Sequence, residues 1–232
     1  MFLEIVYKPT SLFSLKHSSA TNSAGKSLIS PSPYSVKMAL LNAIITFDSL
    51  EAAKDNFELI RDLEIKFCLS DNIVVNNCMI RILKDNDKVK KEVKEINPFK
   101  TTIAFREYVY LGNEIKIAVY MKKEDDIFIQ NKIDFLKKWF MHINYFGKKG
   151  CFFQFVSTTV VENIADNYSK ILDDSFPAGT MFKMDDVEKS AKFDNLNNYF
   201  EKKINAKRKE KIHIFPLSLE SSNKNYSHYK KI

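Results

Sequence analysis

The chain has 232 residues, 45% of them hydrophobic, with only five glycines and six prolines; this composition supports a buried core and excludes a collagenous, low-complexity or wholly disordered chain. The length suits one large domain, or one domain carrying an insertion. A formal net charge of +7 favours an anionic partner such as nucleic acid or a membrane surface.

At the N-terminus, "FLEIVYK" (2–8) is rich in β-formers and predicts a strand ended by Pro9. No basic region precedes this apolar stretch and Glu4 lies inside it, so no signal peptide is expected. Residues 10–30 are rich in Ser, Thr and Asn and predict a loop or loose hairpin. They contain Gly25-Lys26-Ser27, the end of a phosphate-loop pattern, but Ala20 stands where that pattern needs its first glycine. Pro31 and Pro33 also force Ser30 and Ser32 to be extended, which starts the next helix too late to cradle a nucleotide. That helix has Ser32 as N-cap, Pro33 at its first position and Val36, Leu40, Ala43 and Ile44 as its apolar stripe. Lys37 falls off the stripe, near the exposed first turn. A second helix is predicted from Ser49 to about Leu63, with Ala53, Phe57 and Ile60 inward.

Strands follow at 64–70 and 73–84, joined by a turn at Ser70-Asp71-Asn72. The lysine-rich stretch 84–100 reads as a solvated tip, and strands return at 101–110 and 114–120. Alternation puts Arg106, Tyr108 and Tyr110 on one strand face. Asp125 and Asp126 open the longest helix, whose stripe is Ile129, Ile133, Leu136, Phe140 and Ile143 and whose end is placed at Gly147. The loop Gly147-Lys148-Lys149-Gly150 feeds a strand at 151–157. Beyond it, a helix from about Asp185 to Lys209, a short strand at 211–217 and a polar tail are predicted. No apolar run approaches the ~20 residues of a membrane span. Cys68, Cys78 and Cys151 are dispersed, and with four scattered histidines they predict no zinc site, disulfide framework or cofactor, which fits a reducing cytoplasm.

The expected fold class is α+β: a β-α-β-β-α-β, ferredoxin-like core over residues 1–157 with an inserted strand pair, then an α-rich appendage over 158–232. That arrangement hosts RNA binders and metabolic enzymes alike. Three features bear on the choice. Two glycines flanking Lys148 and Lys149 let backbone and ammonium groups approach a phosphate, although a helix C-cap with dipole-favoured lysines has the same composition. The Arg106/Tyr108 face offers stacking and phosphate contact to unpaired bases, while Tyr is also a good strand residue. The last 32 residues hold nine Lys and Arg against three Glu, and their end interleaves Tyr226, His228 and Tyr229 with lysines, as an RNA-contacting arm or a frayed end would.

The run "SLISPSPYSVKMALLNAI", after a first strand, resembles the CRISPR-associated RAMP superfamily and most of all its Cas-five family. A proline-rich turn there introduces the first helix, followed by a small residue, a lysine and an apolar run; Pro31, Pro33, Ser35, Lys37 and 38–41 match. "AFREYVYLG" (104–112) and "INYFGKKGCFFQF" (143–155) resemble further family blocks, so that the likeness runs in order from about residue 2 to 157. The resemblance implies a type I effector (Cascade) subunit, I-A- or I-B-like, that holds the 5′ handle of the guide RNA (crRNA) without cleaving it, beside backbone and large subunits. It implies a gripping thumb at about 73–112, and phosphate or handle contacts from Lys26, Lys37, Arg106, Tyr108, Lys148 and Lys149. One branch of that family is a metal-independent endoribonuclease. Its catalytic set does not map onto core positions here, although Tyr226, His228 and Lys230 are a candidate trio in the tail. A basic protein-interaction module is the third reading.

Overall fold

The structure, a computed structural model, describes residues 1–18, 26–85, 98–122, 125–172, 177–196 and 207–232. Four strands make the central sheet: β1 (Phe2–Pro9), β4 (Ile65–Cys68), β7 (Ile115–Tyr120) and β8 (Phe153–Val161), in the order β4-β7-β1-β8 with every neighbour antiparallel. Between β1 and β4 come the short pair β2 (Leu15–Lys16) and β3 (Ser27–Leu28), then α1 (Pro33–Phe47), α2 (Leu50–Asp55) and α3 (Phe57–Arg61). Helix α4 (Asp126–Met141) joins β7 to β8. Strand alternation sends Leu3, Ile5 and Tyr7 of β1 and Ile115, Ile117 and Val119 of β7 to one face. There they share a core with Val36, Leu40 and Ile44 of α1 and with Ile133, Leu136 and Phe140 of α4. Each fully buried side chain of this kind contributes about 1.5–3 kcal/mol relative to exposure. On the opposite face Tyr168 packs over Cys68 and Ala118, and its hydroxyl donates to Glu4.

The helix starts agree with their sequence signals. Ser32 caps α1 by accepting from the N–H of Ser35 at 3.2 Å, with Pro33 in the first turn. Ser49 caps α2 through the N–H of Ala52 at 3.0 Å. The second predicted helix is broken at Asn56 into α2 and α3, with Ala53, Phe57 and Ile60 still buried. Helix α4 ends at Met141, six residues before Gly147, so that glycine is not its cap.

Strands β5 (Asn72–Asp85) and β6 (Phe99–Leu111) pair along their whole length as a long antiparallel arm at the place expected for the insertion. Residues 86–97, most of the expected lysine-rich tip, lie outside the described residues. The turn at 70–72 does not form a hairpin: β4 pairs with β7 alone, while β5 leaves for a second sheet of order β12-β13-β5-β6.

The α-rich appendage predicted for 158–232 is corrected by the structure. Among the described residues this part holds β9 (Lys170–Ile171), β10 (Thr180–Val187), β11 (Arg208–Phe215), β12 (Leu217–Ser222) and β13 (Tyr226–Lys231), with one 3-10 turn at Phe193–Asn195. The helix expected over 185–209 is strand at its two ends, 185–187 in β10 and 208–209 in β11, while residues 197–206 lie outside the described residues. A lysine- and acid-rich composition favours helix locally. Here pairing across sheet β10-β11-β9 prevails, because it buries Met184, Val187, Ile214 and Phe215. Nor is the tail a loose arm, since β13 is hydrogen-bonded between β12 and β5. No helix among the described residues is long and apolar enough to cross a membrane.

Candidate nucleic-acid interface

Three chain segments meet at the start of α1. The first is the helix itself, where Ser32, Tyr34, Ser35 and Met38 present one side of the opening turns. The second is the turn that follows α4. Tyr145 and Phe152 form a bridge across it, and the N–H of Cys151 returns to the carbonyl of Lys148 at 3.1 Å. Gly147 makes this turn possible at φ +67°, a left-handed conformation that costs other residues about 1–2 kcal/mol. A Cβ on Gly147 would stand 3.2 Å from Leu15 Cδ2 and 3.9 Å from Ser35 Cβ, so the turn lies directly against α1. The third segment is sheet β10-β11, which supplies Asp185 and Arg208.

Between them, with β2 and β6 closing the remaining sides, lies a cleft of about 380 Å³ lined by Lys16, Arg106, Lys148 and Arg208, with hydroxyls from Ser14, Ser32, Ser35 and Tyr34. The Arg208 guanidinium sits 4.1 Å from the centre of the Tyr34 ring. It also approaches the Asp185 carboxylate at 3.6 Å, and that carboxylate accepts from the Ser18 hydroxyl at 2.7 Å. Four cations against one carboxylate, already engaged, leave a positive cleft with hydroxyl donors: chemistry suited to phosphodiester oxygens.

The predicted contact residues are distributed unevenly. Arg106 and Lys148 share this cleft. Lys149, next in sequence, lines a second depression along the later turns of α1, and Lys26 lines a third beside Glu107, Phe182 and Tyr229. Tyr108 is half-buried on β6 and lies outside the lining of the cleft.

Lys37 corrects the expectation that it stands near the exposed turn: only 2% of it is exposed. Strand β10 covers that flank of α1 and brings Asp186 to 2.6 Å from the Lys37 ammonium, which also donates to the carbonyl of Arg61 at 2.7 Å. Lys211 meets the other oxygen of Asp186 at 2.8 Å. Burial pulls the Lys37 pKa down against the attraction of Asp186. Burial pushes the Asp186 carboxyl up, but Lys37 and Lys211 outweigh it and hold it below the ordinary range. Lys37 therefore ties α1 to β10 and to the end of α3 and does not line the cleft.

Lys16, Tyr34, Arg208 and Asp185 were missed as cleft residues. Tyr34 lies inside the proline-helix block and Lys16 in an unremarkable polar loop. Arg208 and Asp185 carried no signal, because a helix was expected over both. Tyr226, His228 and Lys230 alternate along β13, where His228 Nε2 lies 3.3 Å from Asn72 Oδ1.

No family model matches the chain. A curated relative, CRISPR-associated protein Cas5 of Archaeoglobus fulgidus, is 25% identical over 177 residues, 73% of this chain and 72% of the relative. A crystal structure of a CRISPR protein from Archaeoglobus fulgidus superposes with a TM-score of 0.53 and 13% identity, over 100% of this chain and 92% of its own. A chain of a CRISPR RNA-guided surveillance complex aligns over 92% of this chain and 88% of its own at 14% identity, with a TM-score of 0.45. The mixed α+β fold is thus one found in a CRISPR protein, and the chain is similar in sequence to a CRISPR-associated Cas5 protein.

Proposed function

We propose that this protein is the RNA-binding subunit of a type I CRISPR effector (Cascade) complex that caps the 5′ handle of the guide RNA in the cytoplasm. It does so without cleaving the RNA and without a metal or cofactor, beside the backbone and large subunits. One observation carries the reading: the proline-initiated helix and the Gly147–Gly150 turn, remote in sequence, line one cleft with Lys16, Arg106, Lys148 and Arg208. In the same reading the antiparallel sheet β4-β7-β1-β8, with helices between its first two and last two strands in chain order, is a ferredoxin-like core. The β5-β6 arm is its thumb. The RNA contacts are Arg106 and Lys148, joined by Lys16 and Arg208, with Lys26, Tyr108 and Lys149 flanking; Lys37 ties α1 to β10.

Binding of a repeat-derived RNA to the purified chain tests this. With about four phosphates neutralised, log affinity falls against log salt with a slope of about −3 for a single strand. Lys148→Glu weakens binding strongly and flattens that slope, and native affinity with an unchanged slope sinks the proposal. A second reading, the metal-independent endoribonuclease, gains from one observation: Tyr226, His228 and Lys230 stand on one face of a paired strand, a firmer placement than a frayed tail. Ordered cleavage at one phosphodiester in EDTA, abolished by His228→Ala, would establish it.

A further inference from the structure

The two lysines of the turn line successive stretches of α1. Lys148 lines the cleft beside the helix start, while Lys149 lines a second depression of about 320 Å³ with Ala39, Asn42, Ala43, Thr46 and Phe47 from the later turns. His142, Asn144 and Tyr145 close its other wall. Inside is a ready-made stack. His142 lies 4.6 Å from the Phe47 ring at 29° to its plane, and 5.8 Å from Trp139 on α4. Phe47 is 61% exposed at the end of the stack, so that part of its ring is open to solvent.

We propose that this second depression holds the base of an unpaired RNA nucleotide, belonging to the strand whose backbone crosses the Lys148-Lys149 ridge from the first cleft. The inference rests on the RNA-binding reading above and extends it to a site with its own chemistry. An aromatic face open to solvent takes any base by stacking, Asn42 and Asn144 offer amide donors and acceptors to its edge, and Lys149 offers charge to its phosphate. This mixture suits a nucleotide better than an apolar protein segment, which would leave the two amides and the ammonium without partners. Spacing agrees. From Ser35 to Asn42 the helix rises about 10 Å, roughly three stacked nucleotides at about 3.4 Å each and fewer in an extended strand.

The test uses the full-length chain and a labelled single-stranded RNA of about eight nucleotides from the repeat, within the range that such grooves occupy. Phe47→Ala, at an exposed position, is expected to weaken binding about 5- to 150-fold, the range of one lost base stack. Photo-crosslinking of the same RNA carrying 4-thiouridine is expected to label peptides containing Phe47 or Tyr145. If Phe47→Ala and His142→Ala both bind as the native chain does while Lys148→Glu does not, the strand stops at the first cleft. This inference then fails and the RNA-binding reading stands. If the native chain and Lys148→Glu are indistinguishable, that reading fails and takes this one with it.

Discussion

Lys37 and His213 show how far a residue's type is from its role. A lysine one place from an apolar stripe reads as solvated, yet here it is an internal strut, with its charge met by Asp186 and the end of α3. Breaking a buried ion pair costs about 3–5 kcal/mol when the remaining charge has no other partner. Asp186 keeps Lys211, so Lys37→Met is expected to cost toward the lower end, about 3 kcal/mol in urea unfolding, with RNA affinity of the folded fraction unchanged. A folded variant with lost affinity would instead make Lys37 an RNA contact. His213 is buried near the same cluster, and neither ring nitrogen has a hydrogen-bond partner among the described residues. Burial pushes its pKa down to about 4. Because the folded value lies below the unfolded one, the unfolded chain takes up the proton first as pH falls. This contribution is whole above about pH 6.5 and is lost toward about pH 4, at up to about 1.4 kcal/mol per unit. Unfolding curves between about pH 6.5 and pH 5, above the range in which Asp186 adds its own slope, should therefore fall more steeply in the native chain than in His213→Leu; equal slopes would place the titration elsewhere.

At the scale of elements, the local signals that worked are those whose energy is local. The Ser32 and Ser49 caps, the proline at the start of α1 and the stripes of α1 and α4 appear where the residues put them. The Gly147–Gly150 turn was found for the right residues and assigned the wrong geometry, since α4 stops earlier and Gly147 serves a bridge-closed turn against Ser35. Gly147→Ala is expected to lose about 1–2 kcal/mol of stability from the positive φ. It should also weaken RNA binding, because relief of the positive φ shifts the backbone that carries Lys148. Thermal melting and the salt titration read the two effects separately. Half of the cleft was therefore legible, Arg106 and Lys148 with the helix start. The other half was not, since Arg208 and Asp185 reach it only after strand pairing that their own segments do not encode.

Across the whole molecule, composition and the periodicities of 3.6 and 2 determined the α+β class, the order of elements through β8 and a basic chain suited to a polyanion. These follow from which residues can be buried together on one helix or strand. The short strand expected at 211–217 is met by β11, but only the tertiary structure decided that β11 begins at Arg208 and pairs with β10, that β13 pairs with β5, that Lys37 turns inward, and that neighbouring lysines open onto two depressions. The physical reason is the same in each case. A strand in "RKEKIHIF" or "YSHYKK" gains its hydrogen bonds and burial from partners far along the chain, so its own residues leave helix, strand and loose end nearly balanced until the fold supplies the neighbour.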